Sequence, residues 1–347
     1  MKAKRKRPRR RRAPGARFLL LPLALTGTAA FGGPPLSYLT SAGGKADSTL
    51  ALTWGLLAIS IAVVVIMIGL TCVGIWRRGD RNPSAIAAAV RETDASAWLY
   101  IGVGVSTFVL VISLVWTIRV LAHVSRAPTP PALTIEVSGQ QWWWKARYLD
   151  ADPSRIVTTA NEIHIPVGSP VRVRLVGVDV IHSFWVPALA GKTDVVPGQV
   201  NETWLEADRP GRYRGQCTEY CGVQHAHMAF DVVAEPPAVF RAWLATQLAP
   251  AAPPVAPAAI RGERNFEFRC GACHTVRGTA AGGTAAPDLT HLMSRATIAA
   301  GSAPNTPAML AAWMANPQAL KPGNNMPTLQ LSGAEIGDID AYLATLK

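Results

Sequence analysis

The sequence predicts a two-helix membrane hairpin, then an all-β domain, then a small helical domain. Three observations carry this. Two uncharged apolar runs between residues 50 and 118 are each long enough to cross a bilayer core as a helix. Beyond Pro130, short stretches rich in valine, isoleucine and aromatics are separated by glycine and proline. A proline- and alanine-rich segment, LAPAAPPVAPAAI at 248–260, then sets apart residues 261–347, a length suited to one small domain.

The first element is a leader. Of the formal charge of +12, ten basic residues lie between Lys2 and Arg17 with no acid among them, and the stretch FLLLPLALTGTAA follows. That stretch is too short to span a bilayer but ends in small residues, as an export signal does, so residues 1–30 read as a signal peptide cleaved near Ala30. Cleavage would leave +2, which removes most of the support for a nucleic-acid partner.

Residues 31–126 form the hairpin, with spans at about 50–76 and 97–118. The connection between the spans carries Arg77, Arg78, Arg81 and Arg91, which places it in the cytoplasm and everything after the hairpin outside. Cys72, inside the first span, reads as a packing residue.

In the β-region, 131–247, the run ALTIEV alternates Leu133, Ile135 and Val137 with polar residues, so one face is buried. Continued unbroken through QQWWW, the alternation puts Trp143 inside and Trp142 and Trp144 outside. A bulge at Gly139 would reverse this.

Residues 215–228 read GQCTEYCGVQHAHM. Cys217, Cys221, His225 and Met228 combine thiolate, imidazole and thioether donors, a set that suits copper better than magnesium or calcium. A single electron-transfer copper normally uses one cysteine, so the second is informative: two thiolates can bridge two copper ions. Three plainer readings compete. A disulfide over so tight a loop is strained, zinc seldom takes methionine, and packing leaves four ligand types in register unexplained. A bridged pair also needs a second histidine. His182 in VDVIHSFWVP is the leading candidate, with His164 in EIHIPV, His123 beside the second span and His227 in the loop as alternatives.

In the last segment, CGACH at 270–274 has the spacing at which Cys270 and Cys273 form thioethers with haem and His274 takes one axial position. A thioredoxin-like redox pair lacks its βαβ surroundings here. Among Met293, Met309, Met314 and Met326, the last stands apart in the loop GNNMPT and is the preferred second axial ligand; Met309 and Met314 lie on a helix starting near Pro307 and read as core. The closing helix opens on SGAE, a capping box of Ser332 and Glu335, with Ile336, Ile339, Leu343 and Leu346 as its apolar stripe and Tyr342 joining the core.

The strings VIHSFWVP, GKTDVVPGQVNETW and CTEYCGVQHAHM, after such a hairpin, resemble the copper domain of cytochrome c oxidase subunit II over residues 35–247. The resemblance implies a cupredoxin-like sandwich holding the dinuclear copper centre CuA. His182 and His225 would be terminal ligands, Cys217 and Cys221 bridging thiolates, Met228 the weak thioether, and Glu219 a backbone-carbonyl ligand. It further implies that the Glu219 carboxylate faces a magnesium or manganese ion shared with the catalytic subunit, and that Trp142 is where the electron first arrives. The family often has a glutamate serving a proton pathway near the second span; Glu92 and Asp94 are close but out of register with Trp98, and that role stays unassigned.

PDL at 287–289, Trp313, the NNMP loop and the closing helix resemble small bacterial cytochromes c. Together the two likenesses imply a subunit II with a fused cytochrome c domain. An electron would enter at haem c held by His274 and Met326, cross to CuA, and leave for subunit I, where oxygen is reduced to water with proton pumping. The implied partners are subunit I, subunit III, membrane lipid, and a donor such as a cytochrome c or a cytochrome bc complex. The implied location is a bacterial inner membrane with both domains on its periplasmic or outer face. The linker reads as a semi-rigid tether that makes docking intramolecular, so docking can be weak and still fast.

Overall fold

The structure, a computed structural model, describes residues 36–78 and 96–347. The basic leader with its expected cleavage near Ala30, Arg81 and Arg91 of the connection, and Glu92 and Asp94 lie outside the described residues. The two apolar runs are helices α1 (Gly44–Arg78) and α2 (Ser96–Val124). Each has the length and hydropathy to cross a bilayer. The Trp116 ring of α2 lies against Gly55 of α1. Cys72, expected to pack, is instead exposed on α1. It lies among apolar side chains such as Leu70 and Val73 that the chain itself leaves uncovered.

The outer ends of both helices are fastened to the β-domain. Ala42 N–H donates to the Ala188 carbonyl at 2.8 Å, and the Ala42 carbonyl accepts from Asp208 N–H at 2.8 Å. Lys45 Nζ donates to Thr203 Oγ1 at 2.7 Å, and the Trp204 indole donates to the Val124 carbonyl at 2.9 Å.

The β-domain is a sandwich of two five-stranded sheets, ordered β3-β2-β1-β5-β8 and β4-β10-β9-β6-β7. In chain order the strands are β1 (Leu133–Gln140), β2 (Trp143–Tyr148), β3 (Val157–Ala160), β4 (Glu162–Pro166), β5 (Val171–Gly177), β6 (His182–Trp185), β7 (Thr193–Val195), β8 (Val200–Leu205), β9 (Gly211–Cys217) and β10 (Ala229–Glu235). β1 with β5 and β10 with β4 are parallel. The alternation in ALTIEV does mark a buried face: Ile135 and Val137 are fully covered and Leu133 packs beside them. Between the sheets Trp144 meets Phe230 and Phe184 edge-on at centroid distances of 5.3 and 5.8 Å. Each such ring contributes about 2 to 3 kcal/mol by burial.

Helix α3 (Pro237–Leu248) closes the sandwich, stacking Trp243 on the His164 ring at 4.0 Å. Both His164 nitrogens are occupied, Nδ1 by Glu235 at 3.0 Å and Nε2 by Glu162 at 3.1 Å. Arg212 Nη1 joins the same group, donating to Glu162 at 2.6 Å and Asp231 at 3.0 Å. Burial pushes the Glu162 carboxyl up, but the hydrogen bonds from His164 and Arg212 outweigh it and hold it down to about 2. His164 therefore belongs to a buried charge cluster and has no nitrogen left for a metal.

The chain then runs extended only to Ala256, because proline is tolerated in the first turn of a helix and α4 (Pro257–Arg269) starts on one. This short link is held: Ala251 N–H donates to the Arg277 carbonyl at 2.9 Å, and His291 Nε2 lies 3.1 Å from the Ala249 carbonyl. The C-terminal domain packs α4 against the closing helix and adds α5 (Pro307–Ala315) and the short α6 (Pro317–Leu320). The closing helix, α7 (Gly333–Leu343), carries the capping box of Ser332 and Glu335. Its core gathers Phe266, Leu292, Leu310, Met314, Ile339, Tyr342, Leu343 and Leu346. A short hairpin, β11 (Thr297–Ile298) and β12 (Ala303–Pro304), projects from it.

Candidate metal centre

The loop 218–228 leaves β9 at Cys217 and returns to β10 at Ala229. Its two ends are tied by the Cys217 N–H, which donates to the Met228 carbonyl at 3.0 Å. β6 pairs beside β9 with Phe184 opposite Cys217, which brings His182 to the loop from more than thirty residues away. The Cys217 and Cys221 sulfurs are 3.8 Å apart. His182 Nδ1 is 3.9 Å from the Cys217 sulfur, and His225 Nδ1 is 3.6 Å from that of Cys221. The Met228 sulfur lies 3.8 Å from Cys221 Sγ, and the Glu219 carbonyl 3.3 Å from Cys217 Sγ. His182, Cys217, Cys221 and Met228 are buried, and His225 is half-buried. Exposed His227 bonds Gln224 through Nδ1 at 2.7 Å and stays outside.

His182 Nε2 faces Asp179 Oδ1 at 2.8 Å, so a carboxylate fixes this nitrogen and leaves Nδ1 turned to the sulfurs. Burial pushes the His182 imidazole down, but its bonds to Cys217 and Asp179 prevail and raise it. The hydrogen bond from Cys221 holds the Cys217 thiol far below its usual range, and the same bond raises Cys221. Gly139 lets the ring in: a Cβ there would stand 3.1 Å from the His182 ring. The donors are thiolate, imidazole, thioether and carbonyl with no carboxylate among them, which fits copper.

Two polar groups of the neighbouring turn reach this loop. Trp142 Nε1 and Gln141 Nε2 both donate to the Cys221 carbonyl, at 2.9 and 2.8 Å. The expectation that Trp142 and Trp144 point outward is overturned: both are buried, and Trp143 is the half-exposed one. β1 ends at Gln140, which pairs with Trp143 across a tight turn, so the alternation restarts in β2 with no bulge at Gly139, which pairs with Trp144. Asp179 and Gln141 were missed by the sequence reading. An acid three residues before His182 was the available signal for the first; nothing local marks the second.

CGACH sits at the end of α4, where the Cys273 and His274 N–H groups both donate to the Cys270 carbonyl at 3.0 Å. His274 Nδ1 bonds the Pro287 carbonyl at 2.8 Å, and burial pushes the imidazole down, leaving a neutral Nε2 free to ligate. Burial also raises the Cys270 thiol to about 11, while Cys273 is exposed. Two free thiols and a neutral imidazole in this spacing fit haem attachment. Met293, Met309 and Met314 pack in or against the core. Met326 does not; its N–H donates to Asn324 Oδ1 at 2.8 Å in a loop set on the turn at Gln141.

The family described as cytochrome c oxidase subunit II, periplasmic domain, matches residues 133–235, and the family described as cytochrome c matches 259–347. Cytochrome c oxidase subunit 2 of Alkalihalophilus pseudofirmus is 41% identical over 215 residues, covering 61% of this chain and 61% of the relative. The probable cytochrome c oxidase subunit 2 of Rickettsia bellii is 34% identical over 212 residues, covering 55% of this chain and 76% of the relative. The chain belongs to the cytochrome c oxidase subunit II family.

The periplasmic domain of subunit II of cytochrome oxidase from Bradyrhizobium japonicum is 33% identical over 35% of this chain and 96% of that one, with a TM-score of 0.33. The chain spans about three fifths of the A. pseudofirmus relative's length, 61%. As a subunit II of this family with a fused cytochrome c domain, it carries two helices long and apolar enough to cross a membrane, and its β-domain matches a family model described as a periplasmic domain. The thiol and imidazole groups of the loop all fall within the subunit II match, and CGACH and Met326 within the cytochrome c match. The Glu219 carboxylate, expected to face magnesium or manganese, pairs with Lys192 Nζ at 3.4 Å.

Proposed function

We propose that this chain is the electron-receiving subunit of a haem-copper terminal oxidase, taking electrons into its fused cytochrome c domain and handing them through a dinuclear copper centre to subunit I. Oxygen reduction to water, coupled to proton pumping, belongs to subunit I. The single observation behind this reading is the convergence of two cysteine sulfurs, two imidazole Nδ1 atoms and a thioether in one buried pocket. Haem c and paired copper, when bound, supply one-electron couples.

The chain's own residues do the rest. Cys217, Cys221, His182, His225, Met228 and the Glu219 carbonyl would hold the copper. Asp179 orients His182 through its Nε2. Burial of the sulfurs excludes water, which keeps reorganisation small on electron transfer. Cys270, Cys273, Met326 and His274, the last held through Nδ1 by the Pro287 carbonyl, would hold haem c. Trp142, bonded to the Cys221 carbonyl and, through its own carbonyl, to Lys321 of the C-terminal domain, would carry the electron between the two groups. A magnesium or manganese ion at Glu219 would have to displace Lys192 and draw further ligands from subunit I. Subunit III and a donor such as a cytochrome c or a cytochrome bc complex are the remaining proposed partners.

The test is metal content and electron-spin resonance on the full chain produced without other oxidase subunits. Two coppers per haem, with the unpaired electron shared between copper nuclei, supports the reading. One copper or none overturns it.

A further inference from the structure

The C-terminal domain is bound to the sandwich at the copper loop itself. Lys321, directly after α6, is 3% exposed. Its Nζ donates to the carbonyls of Trp142 at 2.6 Å and His227 at 2.8 Å, both in the sandwich, and to that of Ala299 at 3.3 Å in its own domain. A buried lysine amine among carbonyls is held only where those carbonyls are brought together, because each group left dry and unpaired is penalised.

A second contact adjoins this lysine and is coupled to it through Ala299. Between β11 and β12 the residues Ala299, Ala300 and Gly301 have φ of 52°, 58° and 74°, a left-handed run that two alanines adopt only when surroundings enforce it. Each residue of the run meets a partner. The Ala300 carbonyl accepts from Ala229 N–H at 3.1 Å, the Gly301 carbonyl from Arg214 Nη2 at 3.4 Å, and the Ala299 carbonyl from Lys321. The C-terminal domain therefore grips His227 and Ala229, on either side of Met228. Gln224 Nε2 adds a bond to the Pro322 carbonyl at 2.7 Å.

The grip extends to the haem side. The Lys321 carbonyl accepts from Asn324 Nδ2 at 2.7 Å, and Asn324 Oδ1 accepts from Met326 N–H at 2.8 Å. Asn325 Nδ2 donates to the Gln141 carbonyl at 3.0 Å.

We infer that Lys321 and the left-handed turn Ala299–Gly301 form a clamp that holds the Met326 loop on Gln141 and Trp142, making the contact between cytochrome c domain and copper loop permanent rather than a tethered encounter. The inference rests on the proposed function for its role in electron transfer. Lys321 is a positioning residue: it touches neither metal pocket but fixes the loop that carries one ligand against the turn that touches the other.

The experiment is amide exchange on the full chain as purified, with the Lys321→Met and Asn325→Ala variants, followed by haem-to-copper equilibration after photoreduction. Lys321→Met is expected to speed exchange at Ala229 N–H by about tenfold or more while Cys217 N–H, bonded inside the sandwich, keeps its protection. Equilibration slows at unchanged haem and copper spectra. Asn325, exposed and outside both cores, gives the same pattern at smaller amplitude if Lys321→Met fails to fold. Unchanged Ala229 exchange in either folded variant overturns the clamp. Exchange does not depend on which groups the pockets hold. A clamp failure with two coppers and one haem bound leaves the proposed function standing, and a wrong metal count with a normal exchange response does the reverse.

Discussion

The indole of Trp142 donates to the carbonyl of Cys221 at 2.9 Å while the Trp142 carbonyl accepts from Lys321 at 2.6 Å, so one residue bonds both the backbone of a proposed copper ligand and the C-terminal domain. Replacing Trp142 by leucine removes the ring and this bond together. Haem-to-copper transfer is expected to slow by about tenfold or more while the copper spectrum keeps its shape. A rate equal to the native one after photoreduction would remove Trp142 from the path.

Asp179 fixes His182 through Nε2 at 2.8 Å and also accepts from the Gln141 and Val180 N–H groups at 2.6 and 2.7 Å. Asp179→Asn keeps the shape but weakens the hold on the ring. Copper affinity, measured by competition with a chelator, is expected to fall roughly 10- to 100-fold. Native affinity would mean that packing against Trp144 alone orients His182.

Met326 is the proposed axial ligand outside the core. Met326→His is expected to lower the haem potential, because thioether ligation favours the reduced iron more than imidazole does. A redox titration with an unchanged potential and spectrum would point to another methionine.

Stability should depend on acid through Glu162, whose folded value is held at about 2 by His164 and Arg212 against the opposing effect of burial. Because the folded value is depressed, the contribution is complete above the unfolded value of about 4.3 and is lost as pH falls through the folded one, roughly 2 to 4 kcal/mol in all. Chemical unfolding between about pH 5 and 2 reads this slope. Glu162→Gln should be less stable at neutral pH and show a flatter acid limb, and an equally steep limb in the variant would assign the effect elsewhere.

What the sequence disclosed follows the range of the interactions involved. Cys217, Cys221, His225 and Met228 lie on one short loop, so their spacing alone gathers them, and the capping box of Ser332 and Glu335 is equally local. His182 was reachable only through its motif, because the pairing of β6 with β9 is not written near either strand. The facing of Trp142 was misread for a definite reason: a tight turn resets the two-residue alternation, and QQWWW contains no glycine or proline to announce it. His164 stayed open as a ligand because Glu235, which occupies its Nδ1, comes from a distant strand. Lys321 was invisible, since its partners are backbone carbonyls that any residues would provide.

The fastening of both helix ends to the sandwich has a mechanical meaning. Ala42, just before α1, bonds the sandwich backbone, and Val124, the last residue of α2, accepts from the Trp204 indole. A domain standing on one foot can pivot; one standing on two can only lean. The height above the bilayer of the loop that carries the proposed copper ligands is thus set by helix length. One residue inserted into α1 would raise that foot by about 1.5 Å and turn it by about 100°. The two attachments could no longer both be made, and the pocket would lose its fixed station over the membrane.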